Sequence, residues 1–336
     1  MKKNLSDIPV SVLDLATIVQ GDVPADSFKK SLQVAQRVEQ LGYKRYWFAE
    51  HHNMENIASS ATAVLIGYIA QGTSSIRVGS GGIMLPNHAP LIIAEQFGTL
   101  ESLYPGRIDL GLGRAPGTDQ LTSFALRRNL NASVDDFPQD VIELKNYLAP
   151  RNGEARVRAI PGEGTQVPIW LLGSSTYNAQ LAAALGLPFA FAAHFAPALL
   201  HDALKSYRQN FIPSEELQQP YSMACINIIA ADTDEEAQHL ATSFYRLALG
   251  IVTGKRKPLQ PPIESMEGEW SDHEKASVMH MMEYTFIGSA KTVNEGLQTF
   301  LDETGVDEIM VASYIYDNAA KIRSYELIAP FFKRTI

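Results

Sequence analysis

The stretch IRVGSGGIMLPNHAPLIIAEQFGTLESLYPGRIDLGLG, Ile76–Gly113, decides how this chain folds. Ile76–Met84 is a short apolar run of strand character. Pro90 then stands at a helix start, and the helix runs on to Leu103. Tyr104-Pro105-Gly106 is a turn, and Arg107–Gly113 is a second apolar run. Strand, helix and strand in about forty residues make a βαβ unit, whose strands pair in parallel.

The same alternation continues outward in both directions. Upstream lie strands at Pro9–Leu15 and Tyr46–Ala49. Between them Phe28, Leu32, Ala35, Val38 and Leu41 fall at helical spacing, and a helix over Ser59–Gln71 follows. Downstream, Pro168–Leu172, Phe189–Ala193, Tyr221–Ala231 and Glu308–Ala312 bring the strands to eight. Helices are expected at Phe137–Leu148, Tyr177–Leu185, Pro197–Phe211, Thr233–Leu249 (with Thr233 and Glu236 as a capping box), Ala290–Thr304 and Asn318–Lys333. Continuous apolar strands are what helices on the outer face require. The pattern predicts an α/β fold, a single (β/α)8 TIM barrel over residues 1–336. Two connections are too long to be simple turns: Arg114–Asp136 and Gly250–Ser289, the second a candidate mobile lid after the seventh strand.

Composition narrows the function. Lys and Arg number 28 against 37 Asp and Glu, a net charge of −9 in 336 residues, which argues against nucleic-acid binding. Cys225 is the only cysteine, so no intrachain disulfide and no cysteine-built metal site is expected, and a reducing cytoplasm fits. Leu181–Leu200 carries no Asp, Glu, Lys or Arg, but Gly186, Pro188, His194 and Pro197 interrupt it, so no membrane association is expected.

In a (β/α)8 barrel the chemistry sits on loops after the strands. Glu50-His51-His52-Asn53 follows the second strand. Adjacent residues point oppositely, which disfavours a shared metal, whereas a histidine at the barrel mouth can exchange protons near neutral pH. Ser80-Gly81-Gly82 within the third strand suggests a bulge or close approach by a flat ligand. Gly111-Leu112-Gly113-Arg114-Ala115-Pro116-Gly117 fails as a dinucleotide fingerprint, because Pro116 displaces the third glycine and no helix opens directly behind it. Arg114, just past a strand, can reach a phosphate with two donors, although a surface ion pair would suit it too. Ser174 and Ser175 open a helix, and they suit either an anion site or a plain N-cap.

Taken together, AEHHN at Ala49–Asn53, VGSGGIMLPNHAP at Val78–Pro90 and LYPGRIDLGLGRAPG at Leu103–Gly117 resemble the bacterial luciferase-like flavin monooxygenases over nearly the whole chain. The resemblance is to the broader single-chain branch, since the luciferase catalytic subunit has a cysteine where Gly113 stands here. It implies reduced FMN across the barrel mouth, reaction with O2 at the flavin C4a carbon, and oxygenation of an organic substrate by the resulting peroxide. It implies a catalytic His51, a non-proline cis peptide at Gly81–Gly82 against the ring, with Ser80 beside it, and phosphate contacts from Arg114, Ser174 and Ser175. No nicotinamide fingerprint is present, so a separate reductase is expected to supply the reduced flavin. Trp47, Tyr43, Trp270 and Tyr284 suggest an apolar substrate pocket. Three alternatives stand beside this: a deazaflavin-dependent hydride-transfer enzyme, a metal-dependent barrel hydrolase and a non-catalytic flavin-binding protein.

A homodimer is also expected. Ala61, Val64, Leu65, Tyr68 and Ile69 on one helix, and Leu91, Ile92, Ile93 and Phe97 on the next, offer more apolar surface than one barrel requires. Luciferase-like proteins pair through these helices, and two-fold pairing is the commonest closed assembly.

Overall fold

The computed structural model describes residues 3–115, 117–126, 136–151 and 155–333. Pro116 and part of the long connection after the fourth strand therefore lie outside the described residues. Eight parallel strands close a barrel: β1 Val10–Asp14, β2 Arg45–Phe48, β3 Arg77–Met84, β4 Ile108–Gly113, β5 Ile169–Gly173, β6 Phe189–Phe191, β7 Ser222–Ala231 and β9 Glu308–Ala312. Closure is made by Val10 opposite Ile309 and by Met223 opposite Glu308. These are the eight strands expected from the sequence. β1, β2, β4, β6, β7 and β9 are buried at every position, which is why they read as uninterrupted apolar runs.

Around the barrel lie α1 Pro24–Gln40, α2 Thr62–Gln71, α3 Pro90–Leu103, α5 Phe137–Leu148, α6 Thr176–Leu185, α7 Leu200–Gln209, α8 Asp234–Val252, α10 Ala290–Thr304 and α11 Asn318–Ile328, with the short α4 Gln120–Leu126 beyond β4. The capping box expected for α8 is half present. Thr233 accepts from the Glu236 amide, but Glu236 accepts from the amide of Asp232 rather than of Thr233. Inside the barrel Trp47 meets Trp170 edge-on at 5.3 Å, among Leu13, Met223, Cys225 and Met310. This interior is a plug of side chains, not a pore.

The sequence reading misses a ninth strand. β8 Thr285–Ser289 lies inside the expected lid and pairs with Asn227–Ala231, the half of β7 beyond its contacts with β6. β7 spans ten residues, twice the usual strand length, and the excess carries β8 outside the closed circle. The rest of Gly250–Ser289 is tied down. Leu259 is 1% exposed, its carbonyl accepts from the Gln20 amide at 2.7 Å, and its amide donates to Ile18 at 2.9 Å. α9 Asp272–Met281 buries Val278, and Met282 follows it into the same cluster.

The ladder between β3 and β4 shifts register between Ser80 and Ile83, so the expected bulge is present. A Cβ on Gly82 would stand 2.7 Å from the Gly111 carbonyl oxygen, and one on Gly111 would stand 2.2 Å from that of Ser80. Both partners are backbone and cannot move aside, so glycine is required at each. The Gly81–Gly82 peptide bond is cis. Ser80 repairs the interrupted ladder, because its hydroxyl donates to the Gly111 carbonyl at 2.8 Å and accepts from the Gly111 amide at 2.9 Å.

Candidate functional site

A cavity of about 490 Å3 opens at the C-terminal ends of β1 to β6. His51, Gly81, Gly82, Arg114, Ser174 and Ser175 all line it, so six residues from four separate loops or strands converge as the sequence suggested. Ser80 is the exception: it is fully buried behind the wall, its hydroxyl taken up by Gly111. A cavity of similar volume at the opposite end of the barrel meets Arg45, Arg77 and Asp109, but there the charges already pair with one another.

The histidines after β2 divide by partner. His52 and His88 both donate from Nε2 to Oε1 of the buried Glu50, at 2.8 and 2.9 Å, and the Met84 amide donates to its Oε2 at 3.0 Å. Burial raises the Glu50 pKa, yet these bonds prevail and hold it down to about 2. The carboxylate therefore fixes the β2 and β3 loops to each other. His51 points elsewhere. Its Nδ1–H donates to the Gly117 carbonyl at 3.1 Å, which leaves Nε2 with the lone pair in the neutral ring. Burial lowers the His51 pKa below its ordinary value, and the Gly117 bond only partly opposes this. His51 is thus held neutral and able to accept a proton, below the near-neutral value expected for a mouth histidine.

On the far rim, the Arg114 guanidinium lies 3.9 Å from the centroid of the Tyr177 ring. No carboxylate among the described residues forms an ion pair with it. Ser175 is the N-cap of α6 but makes no capping bond, so the first-turn amides lack a side-chain acceptor. A planar cation and free helix-end amides on one rim form a site for an anionic group.

Two wall residues were not anticipated. His194, just past β6, is 9% exposed and carries an Nδ1 with no partner, and burial lowers its pKa to about 3. Asn178 in the first turn of α6 donates to the Leu172 carbonyl at 2.5 Å, but its Oδ1 has no partner. The only signal in the sequence is that each lies within a few residues of a strand's C-terminal end. Both atoms are enclosed by the protein and have no partner among the described residues. None of Trp47, Tyr43, Trp270 and Tyr284 reaches the cavity: Trp47 is in the barrel plug, Tyr43 bonds the Tyr325 carbonyl, Trp270 packs on Tyr245, and Tyr284 on Phe300. The apolar wall is instead Leu13, Leu15, Leu172 and Phe195. Among the described residues no group of three or more His, Cys, Asp or Glu is arranged to hold a metal ion, and no helix is long and apolar enough to cross a membrane.

A parallel barrel whose C-terminal mouth joins a guanidinium, uncapped helix-end amides, a glycine-lined wall and a neutral histidine defines a (β/α)8 protein with a candidate ligand site at that mouth. The chain belongs to the luciferase-like monooxygenase family, whose model matches residues 8–308. It is 53% identical over 320 residues to a luciferase-like monooxygenase of Escherichia coli K12, covering 95% of this chain and 96% of the relative. It is 31% identical over 328 residues to the N-acetyl-S-alkylcysteine monooxygenase of Bacillus subtilis 168, covering 96% and 97%. The crystal structure of apo-MsnO8 superposes with a TM-score of 0.87 at 34% identity, covering 98% and 99%. The oxygenating constituent of 3,6-diketocamphane monooxygenase, solved with FMN, shares the fold at TM-score 0.73 and 19% identity (96% and 97% covered). An F420-dependent secondary alcohol dehydrogenase does so at 0.69 and 15% (97% and 99% covered).

Proposed function

We propose that the protein is a flavin-dependent monooxygenase that uses reduced FMN, delivered by a separate reductase, and O2 on a small organic substrate with an apolar body. The observation that carries this reading is the Arg114 guanidinium, without an acid partner among the described residues, beside the uncapped start of α6 on the cavity rim. Arg114, Ser174 and Ser175 would hold the phosphate. Gly81 and Gly82 leave the wall free of side chains where a flat ring must lie. When bound, reduced FMN supplies the two electrons that activate O2. His51, neutral and anchored through Nδ1, accepts or returns a proton at Nε2. A relative named for N-acetyl-S-alkylcysteine supports a small organic substrate.

Arg114→Ala is expected to weaken FMN binding by about tenfold to a hundredfold, the worth of charge-assisted hydrogen bonds, in a fluorescence titration. An unchanged dissociation constant would remove Arg114 from the phosphate site. Tighter binding of F420 than of FMN to the wild type would favour hydride transfer.

The protein is further proposed to act as a homodimer through α2 and α3. Leu65, Ile69, Ile93 and Phe97 are buried against their own barrel and cannot serve the interface, which corrects the broader stripes expected from spacing. Val64 (71% exposed), Tyr68 (40%) and Ile92 (47%) remain outward. Light scattering should give twice the mass of one chain for the wild type, and Val64→Glu with Tyr68→Glu should halve it. A single-chain mass for the wild type would exclude the dimer.

A further inference from the structure

We propose that the substrate is an organic anion, a carboxylate or sulfonate on an apolar body, and that Arg256 is the residue that recognises its charge. The proposal rests on the flavin-dependent reading above and names the substrate class of that site. The backbone bonds of Leu259 to Ile18 and Gln20 pin the segment beside the loop after β1, three residues from Arg256. Arg256 then reaches the β2 loop, where Nη1 donates to the Met54 sulfur at 3.3 Å. Met54 stands three residues after His51, and Arg256, exposed and outside the cavity lining, is near enough for its charge to act on His51. Its neighbours point away: Lys255 and Lys257 line a separate surface depression with Arg246, Glu269 and Glu274.

A thioether is a weak acceptor, and no carboxylate among the described residues is in ion-pair range of Arg256. An exposed guanidinium with so poor a partner exchanges it favourably for a carboxylate or sulfonate, which accepts two parallel hydrogen bonds. The phosphate grip does not claim this cation. Arg114 and the Ser174–Ser175 turn follow β4 and β5, whereas Arg256 contacts Met54 in the loop after β2, further round the ring of strands. The positive charge of Arg256 also reaches His51, where it adds to the lowering of the imidazole pKa. The cavity wall includes Leu13, Leu15 and Ala49 beside the two glycines, which suit an alkyl or aryl body. The chain as a whole carries −9, so an anionic substrate meets net repulsion and needs a local cation at the entrance.

The test titrates octanoate, octane-1-sulfonate and octanamide into the protein with and without FMN, by calorimetry, for the wild type, Arg256→Gln and Arg256→Lys. The expected result is that at least one anion binds about tenfold or more tighter than the amide, and that Arg256→Gln removes this preference while the amide changes by less than about twofold. Arg256→Lys should restore part of the preference, and which anion is favoured separates carboxylate from sulfonate. Equal binding of all three probes, binding of none, or equal weakening of anion and amide in Arg256→Gln would each overturn the proposal. FMN titrated alone keeps the two readings apart. Loss of FMN binding in the wild type sinks the flavin reading, whereas FMN binding without anion preference sinks this one.

Discussion

Asp109→Ala is expected to lower the unfolding free energy by about 3–5 kcal/mol, the usual cost of breaking a buried ion pair by removing one partner. Asp109 is 0% exposed at the N-terminal end of the barrel and collects four donors. Arg45 reaches it at 2.6 Å, Arg77 at 2.7 and 3.0 Å through two nitrogens, and the Trp47 indole at 3.1 Å. Burial alone would lower the Arg45 pKa, but Asp109 and Glu308 together raise it, so the guanidinium stays charged and dependent on them. Removing Asp109 leaves Arg45 with one carboxylate and Trp47 Nε1–H with no acceptor. The contrast is Arg323–Asp232, 49% and 59% exposed, where solvent screens the pair and Asp232→Ala should leave stability nearly unchanged. Urea unfolding compares the two directly, and a loss below about 1 kcal/mol for Asp109→Ala would contradict the view that this network holds the barrel base.

The second large effect is on pH. Glu50 titrates at about 2 in the folded protein against 4.5 for an ordinary glutamate, and it is 1% exposed. A carboxyl whose folded pKa is depressed contributes stability that is complete above the unfolded value and is lost as pH falls through the folded one. The contribution is about 3 kcal/mol above pH 5, of which about 2 kcal/mol is gone by pH 3. Between pH 7 and 3 the wild type should therefore lose about 2 kcal/mol more than Glu50→Gln, which has no charge there to titrate. Equal losses would mean that the bonds from His52, His88 and the Met84 amide do not favour the ionised form. Because Glu50 ties the β2 loop to β3, the same acid range should also loosen the wall next to His51.

The eight barrel strands were legible because a strand covered on both faces must be apolar throughout, as Tyr46-Trp47-Phe48 shows. β8 was not, because Thr285–Ser289 is short, half-exposed at four of its five positions and preceded by a polar helix. Its pairing depends on the overhang of β7, which no local pattern reports. His51, Arg114, Ser174 and Ser175 could be picked out because a barrel brings strand ends together, whatever their separation in sequence. Ser80 could not be separated from Gly81 and Gly82, since which way a residue points inside a bulge is decided by the partner strand. His194 was passed over because it stood in an alanine-rich, charge-free run, and its importance lies in burial and an unpartnered nitrogen. Arg256 was visible only as one of three successive cations, and packing alone set it against Met54 of the β2 loop and turned its neighbours away. Helical spacing likewise found the apolar faces of α2 and α3 without telling that Phe97 faces the barrel and Val64 the solvent.

The central claim is that this cavity holds reduced FMN by its phosphate. Anaerobic titration of the protein with photoreduced FMN, repeated with Arg114→Ala and with riboflavin in place of FMN, tests it directly. The predicted result is saturable one-to-one binding of reduced FMN, weakened about tenfold or more both by Arg114→Ala and by loss of the phosphate in riboflavin. Absence of saturable binding, or equal affinity for FMN and riboflavin that Arg114→Ala leaves unchanged, would contradict it.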